Sequence, residues 1–247
     1  MNRYSDVAIV LKRKSFGEAD NLITVFSKNH GKIKLLAKGS RKIKSKFMGH
    51  IEPLCLIKLS AVSGKSFEIL TSSQIEESHH ELKSNLKNLP LINLICEITD
   101  AVTCERLSNY QVFNLITRVF SSGLWGNKPE LISLFYFINL LKFLGFAPNF
   151  HNCVKCDKNG IIFPYFSYYW GGVVCQDCID SYPGKRIDEE TVMILKLVNS
   201  STNKIFSIVD RLHDKDTKKS FKIISDFFIY IIEKKPLSLK CVEEHIY

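Results

Sequence analysis

Hydrophobic and polar residues alternate in short runs over the first third of the chain, and this pattern predicts β-strands. Five runs are rich in Val, Ile, Leu and Phe: VAIVLKR, NLITVFSK, KIKLLAKG, LCLIKLSAV and KSFEILTSSQ. They are separated by the turn signals Phe16-Gly17-Glu18, Asn29-His30-Gly31 and Ser63-Gly64-Lys65. Turns at this spacing are typical of hairpins. Because five strands follow one another in about 75 residues, the pattern favours a small closed barrel.

The period of the pattern changes at residue 79, and the following segments predict helices. Apolar residues recur every three or four positions through LINLICEITDAVTCERL and YQVFNLITRVFSSGLW. The segment ELISLFYFINLLKFLGF is apolar on nearly every side, so we expect this helix at the centre of a bundle. The helical pattern stops over residues 150–184 and resumes with VMILKLV and SFKIISDFFIYII. We therefore predict an α+β multidomain protein: a barrel over residues 1–78, an α-helical domain over residues 79–150 and 185–247, and an insertion over residues 151–184.

Two Cys-x-x-Cys knuckles lie in the insertion, Cys153 with Cys156 and Cys175 with Cys178, separated by 18 residues. Four thiolates from two tight turns are typical of a tetrahedral structural zinc site, which leaves no open position for a catalytic water. Three alternatives stay open: an iron–sulfur cluster, a three-cysteine site that uses His151, and four unpaired thiols. The remaining cysteines are expected to act as small apolar residues: Cys55, Cys96, Cys104 and Cys241.

The positive charge of the chain is concentrated near its start. Residues 1–50 contain 12 Lys and Arg against 3 Asp and Glu, a net of +9, whereas the other 197 residues balance at 22 against 22. Such a local field can hold a polyanion, so it indicates nucleic acid or an anionic membrane surface. The OB-fold is a five-stranded barrel whose basic groove binds nucleic-acid strands, and it suits both the strand pattern and the charge.

The candidate phosphate contacts are Lys12, Arg13, Lys34, Lys38, Arg41, Lys42, Lys44 and Lys46, with Lys14 as a further candidate. The alternative is a solvated loop that only keeps the protein soluble. Phe47 lies inside this basic segment and is expected to be exposed for base stacking, whereas Phe16, Phe26 and Phe67 are expected in the barrel core. An aromatic cluster beside the second knuckle is expected to pack the insertion against the helices, with a partner surface as the alternative: Tyr165, Phe166, Tyr168, Tyr169 and Trp170.

The N-terminus carries no signal-peptide pattern, and the longest apolar run, residues 131–141, is shorter than the ~18 residues of a spanning helix. We therefore expect a cytoplasmic protein. Neither GxxxxGK[ST] nor GxGxxG occurs, and the seven histidines form no recognisable catalytic pattern; His79 and His80 are expected in solvent. A DNA ligase and a glycosylase are disfavoured, because K-x-D-G is absent and Asn2 stands where one glycosylase class has a nucleophilic proline. We predict a non-enzymatic protein.

Several stretches together resemble the RecO family of bacterial DNA repair and recombination proteins. They are GEADNLITVFSKNHGKIKLLAKGSRKIKSKFMGHIEPL, LLKFLGFAPNFHNCVKC and the pattern FS-x-x-x-GG-x-x-C-x-x-C of residues 166–178. The resemblance covers essentially the whole chain in order, although the C-terminal helices match only in character. GSRKIKSKF and the FS-GG-Cys block are its most specific parts.

The resemblance implies an OB-fold that binds single- and double-stranded DNA, and an α-helical domain with an inserted zinc module. It further implies that the chain anneals complementary strands, contacts the single-strand-binding protein, and works with RecR to load RecA onto coated DNA near the nucleoid. The tail of that single-strand-binding protein is acidic and aromatic-tipped, so its pocket should combine apolar walls with a cation; Arg106, Arg118 and Lys142 are candidates. The alternative function is an RNA-binding zinc protein associated with the ribosome or tRNA.

Overall fold

The computed structural model describes residues 3–64, 66–162, 164–200 and 212–246. The chain forms two compact units. Unit 1 comprises Met1–Ser122 and Leu237–His245, and unit 2 comprises Gly123–Pro236 and Ile246–Tyr247. The domain boundaries anticipated from the sequence stay predictions. None of the helices in the described residues has the length and hydrophobicity required to cross a bilayer.

Unit 1 begins with a closed five-stranded barrel, which confirms the predicted fold class. Its strands are β1 (Arg3–Phe16), β2 (Asp20–Ser27), β3 (Gly31–Ala37), β4 (Leu56–Val62) and β5 (Glu68–Glu77). They follow the order β1-β2-β3-β5-β4 around the barrel. All pairs are antiparallel except β3 with β5, which pair in parallel at Leu35↔Glu68 and Leu36↔Ile69. The long strand β1 pairs with β4 and with β2, and a bulge between Val10 and Lys12 marks its bend.

Side-chain alternation along the strands separates the barrel core from the charged surface. In β3, Ile33, Leu35 and Ala37 point into the core, whereas Lys34 between them is exposed. The same core contains Val10 from β1 and further apolar residues from the other strands. Lysines on the outer face of the barrel therefore keep their charged groups in solvent.

The helices of unit 1 are α1 (His80–Ser84), α2 (Leu89–Val102), α3 (Tyr110–Phe120) and α7 (Leu237–Ile246). Glu97 on α2 caps the start of α7, because its carboxylate accepts hydrogen bonds from the backbone N–H of Leu237 (2.9 Å) and of Ser238 (2.8 Å). Burial would raise the pKa of Glu97, but these bonds lower it. The expectation that His79 is solvated is wrong: the side chain is buried, and its Nδ1 lies 2.8 Å from the carbonyl oxygen of Leu54.

Unit 2 is organised around α4 (Pro129–Phe143), with α5 (Glu189–Ser200) and α6 (Asp214–Ile232) packed against it. Residues 131–141 of α4 are all buried, as the lack of a polar face predicts. The Phe137 ring contacts Phe221 and Phe228 of α6 at centroid distances of 5.5 and 5.2 Å. The segment between α4 and α5 contains a small sheet of β6 (Tyr165–Ser167), β7 (Gly172–Val174) and β8 (Gly184–Arg186), in the order β7-β6-β8.

Candidate functional site

Residues 38–46 follow β3 and are called the basic loop below. The backbone of this loop is fastened to the barrel by hydrogen bonds at its start. The N–H of Gly39 donates to Asp20 Oδ1 (2.7 Å), and Asn21 Nδ2 donates to the hydroxyl of Ser40 (2.8 Å). Gly39 has a φ of +65°, a left-handed conformation that glycine adopts without strain. The loop therefore holds its lysines at defined positions on the barrel.

The far end of the loop is anchored by apolar side chains. Phe47 and Ile51 are each only 2% exposed and belong to the barrel core. The expectation that Phe47 is exposed is therefore wrong, because a phenylalanine here closes the barrel interior more favourably than it meets water. Lys46 reaches back across this end: its Nζ donates to the carbonyl oxygen of Thr71 (2.6 Å) and lies 5.1 Å from the Phe47 ring centroid.

The eight predicted phosphate contacts are all exposed, but they differ in their partners. Three of them have no carboxylate partner within the described part of the chain: Lys38, Lys42 and Lys44. The charge of Lys12 helps to lower the pKa of Glu97, so Lys12 has a carboxylate nearby. Arg41 and Lys46 donate to backbone carbonyl groups, which leave their positive charge uncompensated. The structure therefore brings five uncompensated cations together in the basic loop.

The other two predicted contacts are paired with acids. Arg13 forms an ion pair with Glu52, and Lys34 forms one with Glu105. The hydrogen bond and charge of Glu105 raise the pKa of Lys34, and the Lys34 ammonium in turn lowers the pKa of Glu105. A phosphate would have to displace a carboxylate at either position. The role of all eight residues in DNA binding stays a prediction. A phosphate would meet less competition at the other six than at Arg13 and Lys34.

An exposed aromatic pair lies where the basic loop meets the β1–β2 turn. Phe16 is 42% exposed, and its ring meets the half-buried Phe67 edge to face at 5.6 Å. Arg41 donates to the carbonyl oxygen of Gly17, the next residue after Phe16. The expectation that Phe16 lies in the core is wrong, because the end of a strand beside a turn has less barrel to cover it. The sequence contained a signal for this exposure, because Phe16 directly precedes the turn residue Gly17.

The four cysteines of the two knuckles form one compact cluster in unit 2. The four Sγ atoms lie within 4.8 Å of one another, and those of Cys156 and Cys175 are 3.7 Å apart. Tetrahedral zinc with Zn–S bonds of about 2.3 Å places its sulfur atoms about 3.8 Å apart. The donor set and spacing therefore fit a four-cysteine metal site. His151 is not part of this cluster, so the three-cysteine alternative gains no support.

The thiol groups of the cluster shift one another's pKa values. Burial would raise the pKa of Cys153, but backbone N–H donors, including Cys175 (3.4 Å from the Cys153 Sγ), lower it to about 6. The neighbouring thiol groups of Cys175 and Cys156 raise the pKa of Cys178 to about 12. Four thiolates this close cannot all be ionised at neutral pH without a compensating metal ion. When bound, such a metal would supply cross-links between the two knuckles, with no open position for catalysis.

The aromatic cluster beside the second knuckle divides into two groups. Phe166 and Tyr168 pack against Phe227 of α6 at centroid distances of 5.4 and 6.4 Å, in agreement with the predicted packing role. Tyr169 and Trp170 instead remain 49% and 43% exposed, so the packing prediction is wrong for these two. Tyr169 and Trp170 lie in the turn between β6 and β7, which ends at Gly171 with a φ of +63°.

Each unit also contains a cavity of moderate size. The cavity of unit 2, about 310 Å³, has walls formed by apolar residues that include Ile161, Val173 and Met193. Lys196 supplies a cation and Glu189 a carboxylate. A cavity of about 300 Å³ in unit 1 is lined by two carboxylates, Glu97 and Asp100, and by Lys12.

Of the three cations predicted for a tail pocket, none lines these cavities. Arg106 pairs with Glu68, and Lys142 donates to the carbonyl oxygen of Asn199, where burial lowers the pKa of its ammonium group. Sequence reasoning missed Lys196, although its position on the apolar stretch VMILKLV was a usable signal.

The chain matches two known protein-family models that together cover most of its length. Residues 1–79 match the family described as recombination protein O N terminal, and residues 83–240 match recombination protein O C terminal. The chain belongs to the RecO family. This result confirms the resemblance on which the sequence interpretation depends, and it does not favour the RNA-binding alternative.

Named relatives within the RecO family extend over most of the chain. A DNA repair protein RecO from Dehalococcoides mccartyi strain CBDB1 is 29% identical over 240 residues, which cover 94% of this chain and 92% of the relative. The DNA repair protein RecO of Acetivibrio thermocellus is 30% identical over 84% of each chain, and that of Clostridium perfringens is 27% identical over 95% of each. This RecO-family chain is therefore similar to DNA repair proteins in both of its matched parts.

Proposed function

We propose that this RecO-family protein is a mediator that binds single- and double-stranded DNA and anneals complementary strands. In the same proposal it helps RecR to load RecA onto DNA coated by single-strand-binding protein, in the cytoplasm at the nucleoid. The observation that carries the proposal is the basic loop. Its cations are exposed and have no carboxylate partners in the described residues, and a hydrogen bond from Gly39 to Asp20 fastens its backbone to the barrel.

Annealing requires that two phosphate backbones approach each other, and cations between them lower their repulsion. Contacts to phosphates also leave the base edges free to pair, because such contacts carry no sequence information. Lys38, Lys42 and Lys44 meet both requirements. The proposed activity involves no covalent step, so we infer a mediator rather than an enzyme.

The annealing activity is tested with two complementary oligonucleotides whose pairing quenches a fluorophore. The protein is expected to accelerate pairing at low salt and to lose this effect as salt rises. If six cations contact phosphates, the logarithm of the single-strand binding constant should fall with the logarithm of salt at a slope of about −4, from about −0.7 per contact. A rate equal to that of the free strands at every salt concentration would contradict annealing, and equal preference for folded RNA would contradict a DNA function.

We infer that the metal is zinc and that its role is structural. All-thiolate tetrahedral coordination suits Zn²⁺, although an iron–sulfur cluster also accepts four thiolates. The three strands of the insertion contain three residues each, and its buried cluster consists of Cys153, Val174 and Cys175. A core this small is expected to need a metal for folding.

We also propose that the cavity of unit 2 binds the acidic tail of the single-strand-binding protein. Its apolar walls suit the aromatic tip, and Lys196 suits the carboxylates. Its lining contains one acid, Glu189, whereas the unit 1 cavity has two, Glu97 and Asp100, which would repel the tail more strongly.

The tail site is tested with the Lys196→Glu variant and a peptide of that tail. The variant is expected to bind the peptide at least about tenfold more weakly, because it replaces an attraction by a like-charge repulsion. Lys215→Glu is the matched control, since it makes the same charge change at an exposed position of α6. Binding is measured by fluorescence anisotropy, and equal weakening in both variants would contradict the site.

A further inference from the structure

The segment between α4 and α5 that contains the four cysteines is called the metal module below. Three exposed aromatic side chains form a compact group on it. The rings of Tyr169 and Tyr182 stack at a centroid distance of 3.9 Å with only 6° between their planes. Trp170 stands nearly perpendicular to both, 5.1 Å from the Tyr169 ring and 6.4 Å from the Tyr182 ring. Each of the three is more than 40% exposed. We call these three residues the aromatic platform.

The platform is held in place by Asp180, which follows the second knuckle by two residues. The indole Nε1 of Trp170 donates to Asp180 Oδ2 (3.0 Å), and the backbone N–H of Tyr182 donates to Asp180 Oδ1 (3.1 Å). Lys155 from the first knuckle donates to the same carboxylate (3.2 Å). The rings are therefore fixed in their exposed arrangement by contacts that originate at both knuckles, and they lose little conformational entropy when a ligand binds.

Charge around the platform favours an anionic partner. The Nζ of Lys155 lies 5.5 Å from the Trp170 ring centroid. The Asp180 carboxylate is already occupied, and Asp177 pairs with Lys158 (3.6 Å). Lys185 and Arg186, which follow Tyr182 closely in β8, are exposed and have no acidic partner among the residues that the structure describes. Cations beside flat aromatic faces are the combination by which proteins bind single strands, since phosphates meet the cations and bases stack on the rings.

We propose that the aromatic platform stacks on the bases of single-stranded DNA, with Arg186 contacting its phosphates. Arg186 lies opposite Tyr165 in the sheet, and the Tyr165 hydroxyl donates to the carbonyl oxygen of Tyr182 (3.3 Å). This inference rests on the proposed function for its ligand, and it adds a base-contacting site on the metal module to the phosphate-contacting loop on the barrel. A peptide ligand is less well supported, because a mainly apolar peptide would leave Arg186 without a role.

The test uses the native protein, an oligothymidylate, and an abasic oligonucleotide with the same number of phosphates. The chain contains two tryptophans, of which Trp125 is buried and Trp170 is exposed. The part of the tryptophan fluorescence that is lost in Trp170→Phe therefore reports on the platform. Oligothymidylate is expected to quench this signal, and the abasic strand is expected to bind without quenching it. Replacing Tyr169 and Trp170 with Ala should lower affinity for oligothymidylate by about tenfold and leave affinity for the abasic strand unchanged.

The outcomes separate a failure of the platform from a failure of the proposed DNA-binding function. If both oligonucleotides bind with equal affinity and Trp170 emission is unchanged, the platform does not stack on bases, and the proposed function stands. If neither oligonucleotide binds, the proposed function fails and the platform loses its ligand with it. The comparison of the two oligonucleotides on native protein needs no variant, so it remains decisive even if the double substitution disturbs folding.

Discussion

Replacing Lys38, Lys42 and Lys44 together with glutamate is expected to weaken single-strand binding about 100-fold at 0.1 M salt. Each phosphate contact on a single strand contributes about 0.7 to the slope of log K against log salt, which corresponds to about fivefold in affinity at 0.1 M relative to 1 M. Three lost contacts therefore multiply to about 100-fold, and the new carboxylates add repulsion. These three lysines are exposed and lack carboxylate partners in the described residues, so their replacement breaks no ion pair.

The salt dependence separates lost contacts from a general change in charge. With three contacts removed, the slope should fall from about −4 to about −2, as measured by anisotropy titrations over a range of salt. The matched control carries Lys58→Glu, Lys87→Glu and Lys240→Glu, three exposed positions of unit 1 outside the loop. Both variants lower the net charge from +9 to +3, because each replacement removes two charges. Equal loss in the two variants would show that net charge, not the basic loop, governs binding.

The sequence predicted the elements whose signals are local. The five strands follow from alternation over a few residues, and the metal cluster follows from two knuckles whose spacing is read directly along the chain. The central position of α4 follows from its apolar character on all sides. These features depend on neighbours in sequence, so they need no knowledge of the tertiary structure.

Features that depend on distant partners could not be predicted in the same way. Lys34 is neutralised by Glu105, which lies 71 residues further along the chain, and Arg13 by Glu52, 39 residues away. No spacing rule links such pairs, so the sequence could not show that two of the eight predicted phosphate contacts are compensated. The cavity cation Lys196 was missed for the same reason, since the walls around it come from segments far apart in the chain.

Aromatic residues show why burial was hardest to predict. Phe47 and Phe16 both flank loops, yet Phe47 enters the barrel core and Phe16 stays exposed. Composition cannot separate these outcomes, because a phenylalanine contributes favourably wherever an interior space remains unfilled. In the run that contains Phe166 and Trp170, one ring packs on α6 and the other faces solvent. Phe166 lies within β6 and Trp170 in the turn that follows it, a difference that residue type alone does not show.

Replacing Cys175 and Cys178 with serine is expected to abolish metal binding and to unfold the metal module. In zinc-finger peptides the metal contributes roughly 10–16 kcal/mol of apparent binding free energy, which is comparable to the 5–15 kcal/mol that stabilises a whole domain. The buried cluster of the module consists of only three residues, two of which are the predicted ligands Cys153 and Cys175. We expect a lower melting temperature, and proteolytic cleavage within residues 151–184.

The control is Cys104→Ser, an exposed cysteine outside the cluster, which should keep the native metal content and melting temperature. Metal content is measured by elemental analysis, and zinc is expected at one ion per native chain, whereas iron would contradict the zinc assignment. Binding of an abasic oligonucleotide should persist in the double variant, because the basic loop is fastened to the barrel by Asp20 and Asn21 rather than by the metal module. If the double variant keeps its melting temperature, the four cysteines do not fold the module, and the cluster needs another explanation.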